Sequence, residues 1–251
     1  DDLFTGKISI DTWKEYWEPN PGLKKVKHFI SGLQDSQNRN PAIAQNRAIG
    51  APVDGPSPIS AKQWPEFLQY AQDGGHIFLD SGAFSAHTAG TKVNFSSVMW
   101  RYKELVDNIL FHNKVKFKKG IDVPTSRIPL EQDIKIVAPD IIGDQKGTHQ
   151  LLQKYRKSLM ELRNQGADVL LSLQKGELSP AENLKFSSDI LGKDIPRIAI
   201  PLRKKGWTVE DVNNLFKGDY MPDKFHLLGM GPKNAKFEQI VNAILKNNPK
   251  A

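Results

Sequence analysis

Short apolar runs alternate along the chain with longer segments whose apolar residues recur at helical spacing. Runs typical of buried strands lie at 25–32, 76–82, 117–124, the end of 129–144, 168–176, 196–202 and 224–231. Amphipathic helices are predicted at 60–75, 94–113, 147–166, 179–194, 208–218 and 234–248. Residues 33–58, which are polar and rich in Pro and Gly, are predicted to form a long connection.

This alternation indicates βαβ units and a parallel sheet. Seven strands in one continuous series predict an α/β fold of the (β/α)8 TIM-barrel type, formed as a single domain by residues 1–251. An open doubly wound sheet is the alternative. No eighth strand is predicted at the end of the sequence. Either the N-terminal segment supplies it, or the barrel is incomplete, or the chain is a fragment.

Composition narrows the class of protein. The sequence has 251 residues, 39% of them hydrophobic, and a formal net charge of +7, which favours contact with polyanions although the basic residues are spread along the chain. It has no Cys, which excludes disulfides, cysteine nucleophiles and thiolate zinc sites and is consistent with a reducing cytoplasm. No apolar run approaches the roughly 20 residues that cross a bilayer, so no membrane association is expected.

In a barrel of this kind, the active site lies at the carboxyl ends of the strands. Polar side chains follow one predicted strand after another there. Asp80 ends the second, Asp122 the third, Asp140 and Asp144 follow the fourth, and Gln174 ends the fifth. The sequence therefore predicts a ring of carboxylates and amides at one rim.

The chemistry expected of this ring is that of carboxylates acting as nucleophile or acid and base, together with hydrogen bonds to a flat polar group. Ser81, Gly82 and Ala83 follow Asp80 and are small enough for an aromatic ring to approach the backbone. The sequence has no Gly-rich phosphate loop and no His pair at metal-ligand spacing, so neither a cofactor nor a metal is expected.

Each of these residues also has a plainer explanation. Asp80 could be a helix cap, Asp122 a turn residue, Asp144 the cap of the helix at 147–166, and Gln174 a partner for loop backbone. Convergence of several acids on one rim favours a site, since capping alone does not explain it.

Three segments resemble a known family. "LDSGAFS" (79–85), "IVAPDIIGDQKGT" (136–148) and "FHLLGMG" (225–231) are similar to motifs of the tRNA-guanine transglycosylase superfamily. They look most like its DNA 7-deazaguanine transglycosylases, which occur in phages and bacterial islands. "LLSLQKGE" (170–177) and "RIAIPL" (197–202) are looser matches.

The resemblance implies a (β/α)8 enzyme that exchanges guanine in a polynucleotide for a free 7-deazaguanine base. It implies that Asp80 is the acid–base carboxylate beside the glycosidic bond and that Asp140 binds the Watson–Crick edge of the base. Gln174 and the backbone near Gly229 would help to bind the base, while Met230 would pack on its ring, unless Met230 is an ordinary packing residue. The other substrate-binding residues predicted on this rim are Ser81, Gly82, Ala83, Phe84 and Gln145, with Phe84 placed in the core behind the ring.

Two departures from the family pattern limit what the resemblance assigns. The family's nucleophilic Asp lies on strand eight, whereas no Asp follows Gly231 in this sequence. Either Asp80, Asp122 or Asp144 takes that role, or the chain is inactive, truncated or completed by a homodimer or another subunit. The zinc site of the tRNA enzymes needs three Cys, and its absence favours DNA over tRNA as the substrate.

Other functions remain open at this point. One alternative is a hydrolase that releases bases from nucleosides or nucleotides. Another is an inactive homologue that binds a base or DNA.

Overall fold

The computed structural model describes residues 36–129, 132–192, 197–202, 206–228 and 235–249. Strands and helices alternate through these residues. The strands are β1 (Ile49–Pro52), β2 (Ile77–Asp80), β3 (Ile134–Val137), β4 (Asp168–Ser172), β5 (Arg197–Pro201) and β6 (Phe225–Leu228). The helices are α1 (Ser36–Ala44), α2 (Trp64–Gln72), α3 (Ala83–Thr88), α4 (Phe95–Lys118), α5 (Gln145–Asn164), α6 (Pro180–Leu191), α7 (Val209–Leu215) and α8 (Ala235–Asn247).

The six strands form one parallel sheet in chain order, β1 to β6. A doubly wound sheet would reverse its strand order at a switch point, so that alternative is excluded for these strands. Between Ile77 and Leu228, each strand reaches its neighbour through at least one returning helix, as parallel pairing requires. The sequential order is that of a barrel wall.

The two faces of the sheet differ in what covers them. Residues that point outward, such as Leu79, Ile136 and Ile198, join the helices in one large hydrophobic core. Residues that point inward form a small second cluster: Phe78, Val137, Leu170 and Ala199, with Leu228 packed against them. The alternation of side chains along a strand produces this division.

The sheet is curled into a half-barrel. The ring of Phe78 on β2 stacks on the ring of His226 on β6, with centroids 4.5 Å apart and planes at 8°. These strands are four positions apart in the sheet, so only strong curvature brings their inward side chains together. The contact fills the interior one layer below the carboxyl ends of the strands.

Charged residues occupy the other end of the inward face. Asp168 at the start of β4 accepts a 2.5 Å hydrogen bond from Arg197 at the start of β5. Buried Lys135 on β3 pairs with Asp133 and lies 3.9 Å from Asp168. Burial lowers the pKa of Lys135, and these carboxylates oppose that change. The cluster lies at the end of the half-barrel that is remote from the carboxyl ends.

Caps fix where several helices begin. Ser179 accepts a hydrogen bond from the backbone of Glu182, whose side chain accepts one in return, and Pro180 opens α6. The side chain of Asp144 accepts from the backbone N–H of Gly147 and so caps α5.

Two predictions about local structure are wrong. Residues 117–124 form no strand, because α4 continues to Lys118 and the chain then passes through a turn and loop. The supposed connection 33–58 contains α1 and β1. The first predicted strand, 25–32, lies outside the described residues.

None of the helices in the described ranges combines the length and the apolar character that a bilayer span requires.

The hydroxyl of Tyr102 on α4 joins two strands. It is buried, donates to the Val137 carbonyl at 3.0 Å and lies 3.4 Å from the Leu79 carbonyl. We expect Tyr102→Phe to lower the free energy of unfolding by about 1–2 kcal/mol, because the Val137 carbonyl loses its buried hydroxyl donor. Urea denaturation measures this.

Tyr155→Phe is the matched control, since that hydroxyl contacts only the exposed Ser96 hydroxyl at 3.0 Å among the hydrogen bonds described. An equal loss in both variants would contradict the role given to Tyr102.

Candidate functional site

The carboxyl ends of β2, β3 and β4 bring three predicted site residues together. Asp80 is the last residue of β2, Asp140 follows β3 and Gln174 follows β4. Gln174 Nε2 donates to Asp140 Oδ2 at 2.9 Å, and Ser81 Oγ lies 3.5 Å from Asp140 Oδ1. Three of the side chains predicted for the rim therefore lie together at these strand ends.

The turn after β2 is built for close packing. The backbone N–H of Gly82 donates to Asp80 Oδ1 at 2.9 Å, and that of Ala83 donates to Ser81 Oγ at 3.2 Å. Gly82 has φ +83°, and a methyl group there would lie 2.0 Å from the Asp54 carbonyl oxygen. Gly82 is thus required by the neighbouring loop as well as by its own conformation.

Asp140 is a buried carboxyl, 4% exposed, inside a polar network. Gln174 Nε2 also lies 2.9 Å from Ser172 Oγ, while Gln174 Oε1 accepts from the Gly143 backbone at 2.9 Å. The second contact fixes which end of the amide faces Asp140, because an N–H must donate to an oxygen. Gln174 is therefore held as a donor toward the carboxyl.

Burial raises the pKa of Asp140 from 3.8 to about 7. Hydrogen bonds from Ser172, Gln174 and Ser81 favour the anion, but desolvation outweighs them and the nearby Asp80 adds to the rise. A group with this pKa changes charge near neutral pH. It can accept hydrogen bonds when ionised and donate one when protonated.

Asp80 has a different environment. It is partly exposed, although the surrounding protein desolvates its carboxyl and raises its pKa. The Gly82 N–H opposes this rise. Burial raises the pKa of the nearby Tyr102 hydroxyl, and the carboxylates of Asp80 and Asp140 raise it further, so this hydroxyl stays protonated. Two carboxylates with unequal access to solvent thus lie at one rim.

A second network holds the backbone of Gln174 in place. Asn183 on α6 donates to the Gln174 carbonyl at 2.8 Å, and its Oδ1 lies 2.8 Å from His149 Nε2 on α5. Because the Asn183 amide nitrogen faces Gln174, its oxygen is an acceptor and His149 Nε2 carries the proton. Gln145 donates to the same carbonyl at 3.1 Å.

Gln145 therefore has a structural position rather than an open one. It is buried, and it also bonds Leu178 in both directions, donating to its carbonyl at 3.2 Å and accepting from its N–H at 2.9 Å. These bonds hold the loop between β4 and α6 against the start of α5. Gly176 faces Gln145 so closely that a methyl group there would clash with it.

Three other predicted residues do not join the network. Asp122 lies in an exposed loop after α4, because the strand predicted to carry it does not form. Asp144 is exposed and its carboxylate is engaged in capping α5, the plainer of its two explanations. Phe84 is 37% exposed, so its prediction as a core residue is wrong. Gly229 and Met230 lie outside the described residues.

The sequence did not point to Ser172, Tyr102 or Asp54. Ser172 could have been found from strand alternation, since it lies two residues before Gln174 and shares its side of the chain. Asp54 follows β1, and that strand was not predicted because the sequence around it is polar and rich in Pro and Gly. The Val53 N–H donates to the Asp80 carbonyl at 2.9 Å, which places Asp54 beside the turn at Gly82.

In the part of the chain that the structure describes, no three His, Asp or Glu residues are grouped as metal ligands. No model of a known protein family matches the chain, and no curated protein matches it.

The raised pKa of Asp140 links stability to pH. Its contribution to stability is fully present below the pKa of the unfolded carboxyl and is lost as pH rises through about 7. Asp140→Asn cannot ionise, so it should not lose this contribution. Between pH 5 and pH 8 we expect the unfolding free energy of wild type to fall by about 2–3 kcal/mol more than that of Asp140→Asn. Urea denaturation at both pH values measures it.

Asp122→Asn is the control, since that carboxyl is exposed and outside the network. Parallel pH profiles for wild type and Asp140→Asn would show that Asp140 is not held as described.

Proposed function

We propose that the protein is a pentosyltransferase that exchanges guanine for a 7-deazaguanine base in a polynucleotide, with DNA favoured over tRNA. The observation that carries this proposal is the pairing of a buried recognition carboxyl, Asp140 with Gln174, with the more accessible Asp80 on the same rim. One carboxylate suits the binding of a base and the other suits chemistry at its glycosidic bond.

Base recognition follows from hydrogen-bond complementarity. Guanine and 7-deazaguanine present two adjacent N–H donors on the Watson–Crick edge, which one ionised carboxylate can accept side by side. Asp140 supplies such a carboxylate after β3, and the Gln174 amide lies beside it after β4. The base must leave its stack to reach a buried carboxyl, as in other enzymes that modify bases.

Asp80 is the carboxylate that the geometry favours for the chemical step, because Asp144 caps a helix and Asp122 lies in a remote loop. A carboxylate oxygen attacks C1′, and the electrons of the C1′–N9 bond leave with guanine, which takes up a proton. The incoming base then attacks C1′, expels the carboxylate and gives up its own proton. Asp80 can serve as this nucleophile or as the acid and base beside it.

We further propose that the fold is a complete (β/α)8 barrel. The sequential strand order and the stacking of Phe78 on His226 support a complete (β/α)8 barrel, of which the six strands are the described part. Such a barrel places the carboxyl ends of all strands around one mouth.

The test uses DNA and tRNA labelled in the guanine base, incubated with the protein and free 7-deazaguanine. Guanine release with incorporation of the new base supports the exchange reaction. Release without incorporation assigns a base hydrolase instead, with Asp80 activating water. No release from either polymer would refute the proposed enzyme activity and leave a binding protein.

We expect Asp80→Asn to reduce the rate of guanine release by about 100-fold or more, because general acid–base or nucleophilic groups contribute at least that much. Circular dichroism verifies that the variant is folded. Asp144→Asn is the matched control, since Asn also caps helices well and should leave the rate nearly unchanged. Full activity in Asp80→Asn would remove this residue from the mechanism.

A further inference from the structure

The last turns of α4 expose two aromatic rings among lysines. Phe111 is 68% exposed and Phe117 is 58% exposed, and Lys114, Lys118 and Lys119 are exposed beside them. The spacings of three and four residues from Phe111 to Lys114, and from Lys114 to Phe117 and Lys118, place these side chains on one helix surface. We call these four residues, together with Lys119 directly after the helix, the terminal face of α4.

Among the residues that the structure describes, the lysines of this face have no internal partners. Within the described ranges, none of the three forms an ion pair or a side-chain hydrogen bond, and no acidic residue occurs between Asp107 and Asp122. Lysines at a helix C-terminus do complement the helix dipole. That effect explains the charge but not the two large apolar rings that lie exposed to water beside the lysines.

We propose that the terminal face of α4 binds single-stranded polynucleotide, with lysines on phosphates and bases stacked on Phe111 and Phe117. Unpaired lysines are complementary to a phosphate backbone, and aromatic rings bind the flat faces of unstacked bases. A duplex hides those faces, so the rings favour a single strand. An anionic bilayer would instead require a broad apolar stripe, and the apolar side of α4 is already buried in the core.

This surface is separate from the candidate site. A helix that connects parallel strands runs against them, so the end of α4 lies at the far end of the sheet from Asp80 and Asp140. The helix is about 36 Å long, which leaves room for several nucleotides along its surface. Trp100, 57% exposed near the start of α4, lies along that path. This proposal rests on the proposed function, which gives a polynucleotide as the substrate, and it adds the surface that binds the strand.

The test measures binding of fluorescent oligo-dT of 20 nucleotides to the full chain by anisotropy across a salt series. We expect Phe111→Ala and Phe117→Ala each to weaken binding about ten-fold, because each ring loses a stacked base. Lys114→Gln with Lys118→Gln should weaken binding and lower the salt slope by about 1.4, at roughly 0.7 for each lost phosphate contact on a single strand.

Lys62→Gln with Lys157→Gln is the matched control, since both lysines are exposed elsewhere and the change in net charge is the same. Control and test variants with equal affinity would overturn the proposal. So would tighter binding of a duplex of the same length, or binding to phosphatidylserine vesicles through these residues without binding to oligo-dT.

Oligo-dT contains no guanine, so this result is independent of base exchange. Binding through the face without guanine release would retain the surface and refute the proposed reaction. Guanine release from DNA with unchanged binding in the Phe and Lys variants would retain the reaction and refute the surface.

Discussion

Burial of one carboxyl group, that of Asp140, organises the carboxyl end of the sheet. Asp140 is only 4% exposed, so its carboxyl has lost most of its hydration, and hydrogen bonds from the protein must replace the lost water. Ser81, directly after β2, and Gln174, after β4, supply donors from the ends of the two flanking strands. Gln174 is in turn fixed by Gly143, and its backbone by Asn183. The relative placement of three strand ends thus depends on satisfying this one group.

The same constraint gives the site its chemical asymmetry. Asp140 is enclosed and has a pKa of about 7, whereas Asp80, next to it, remains partly exposed. Two carboxylates so close together cannot both ionise without cost, and each raises the pKa of the Tyr102 hydroxyl beneath. A ligand that donates two hydrogen bonds to Asp140 would stabilise its anion. Binding of such a ligand is therefore coupled to proton release.

The sequence predicts most of this arrangement where periodicity is strong. The strands at Asp80, Asp168 and Phe225 follow from short apolar runs, and the parallel-strand rule brings Asp80, Asp140 and Gln174 together. Residues 117–124 misled because Phe117 and Ile121 are apolar, yet both are exposed and the segment ends a helix. β1 was missed because its four residues include Gly and Pro. In both segments, tertiary packing decides the structure, and the local sequence pattern does not contain that information.

The most direct test is the titration of the Asp140 carboxyl, followed by NMR of protein labelled with carbon-13 at Asp Cγ, with and without 7-deazaguanine. We expect an apparent pKa near 7 in the free protein. We expect the pKa to fall by at least about one pH unit when 7-deazaguanine binds and not to fall with adenine, because the two N–H donors stabilise the anion. A free-protein pKa near the ordinary value of about 3.9, or no response to the base, would contradict the role given to Asp140.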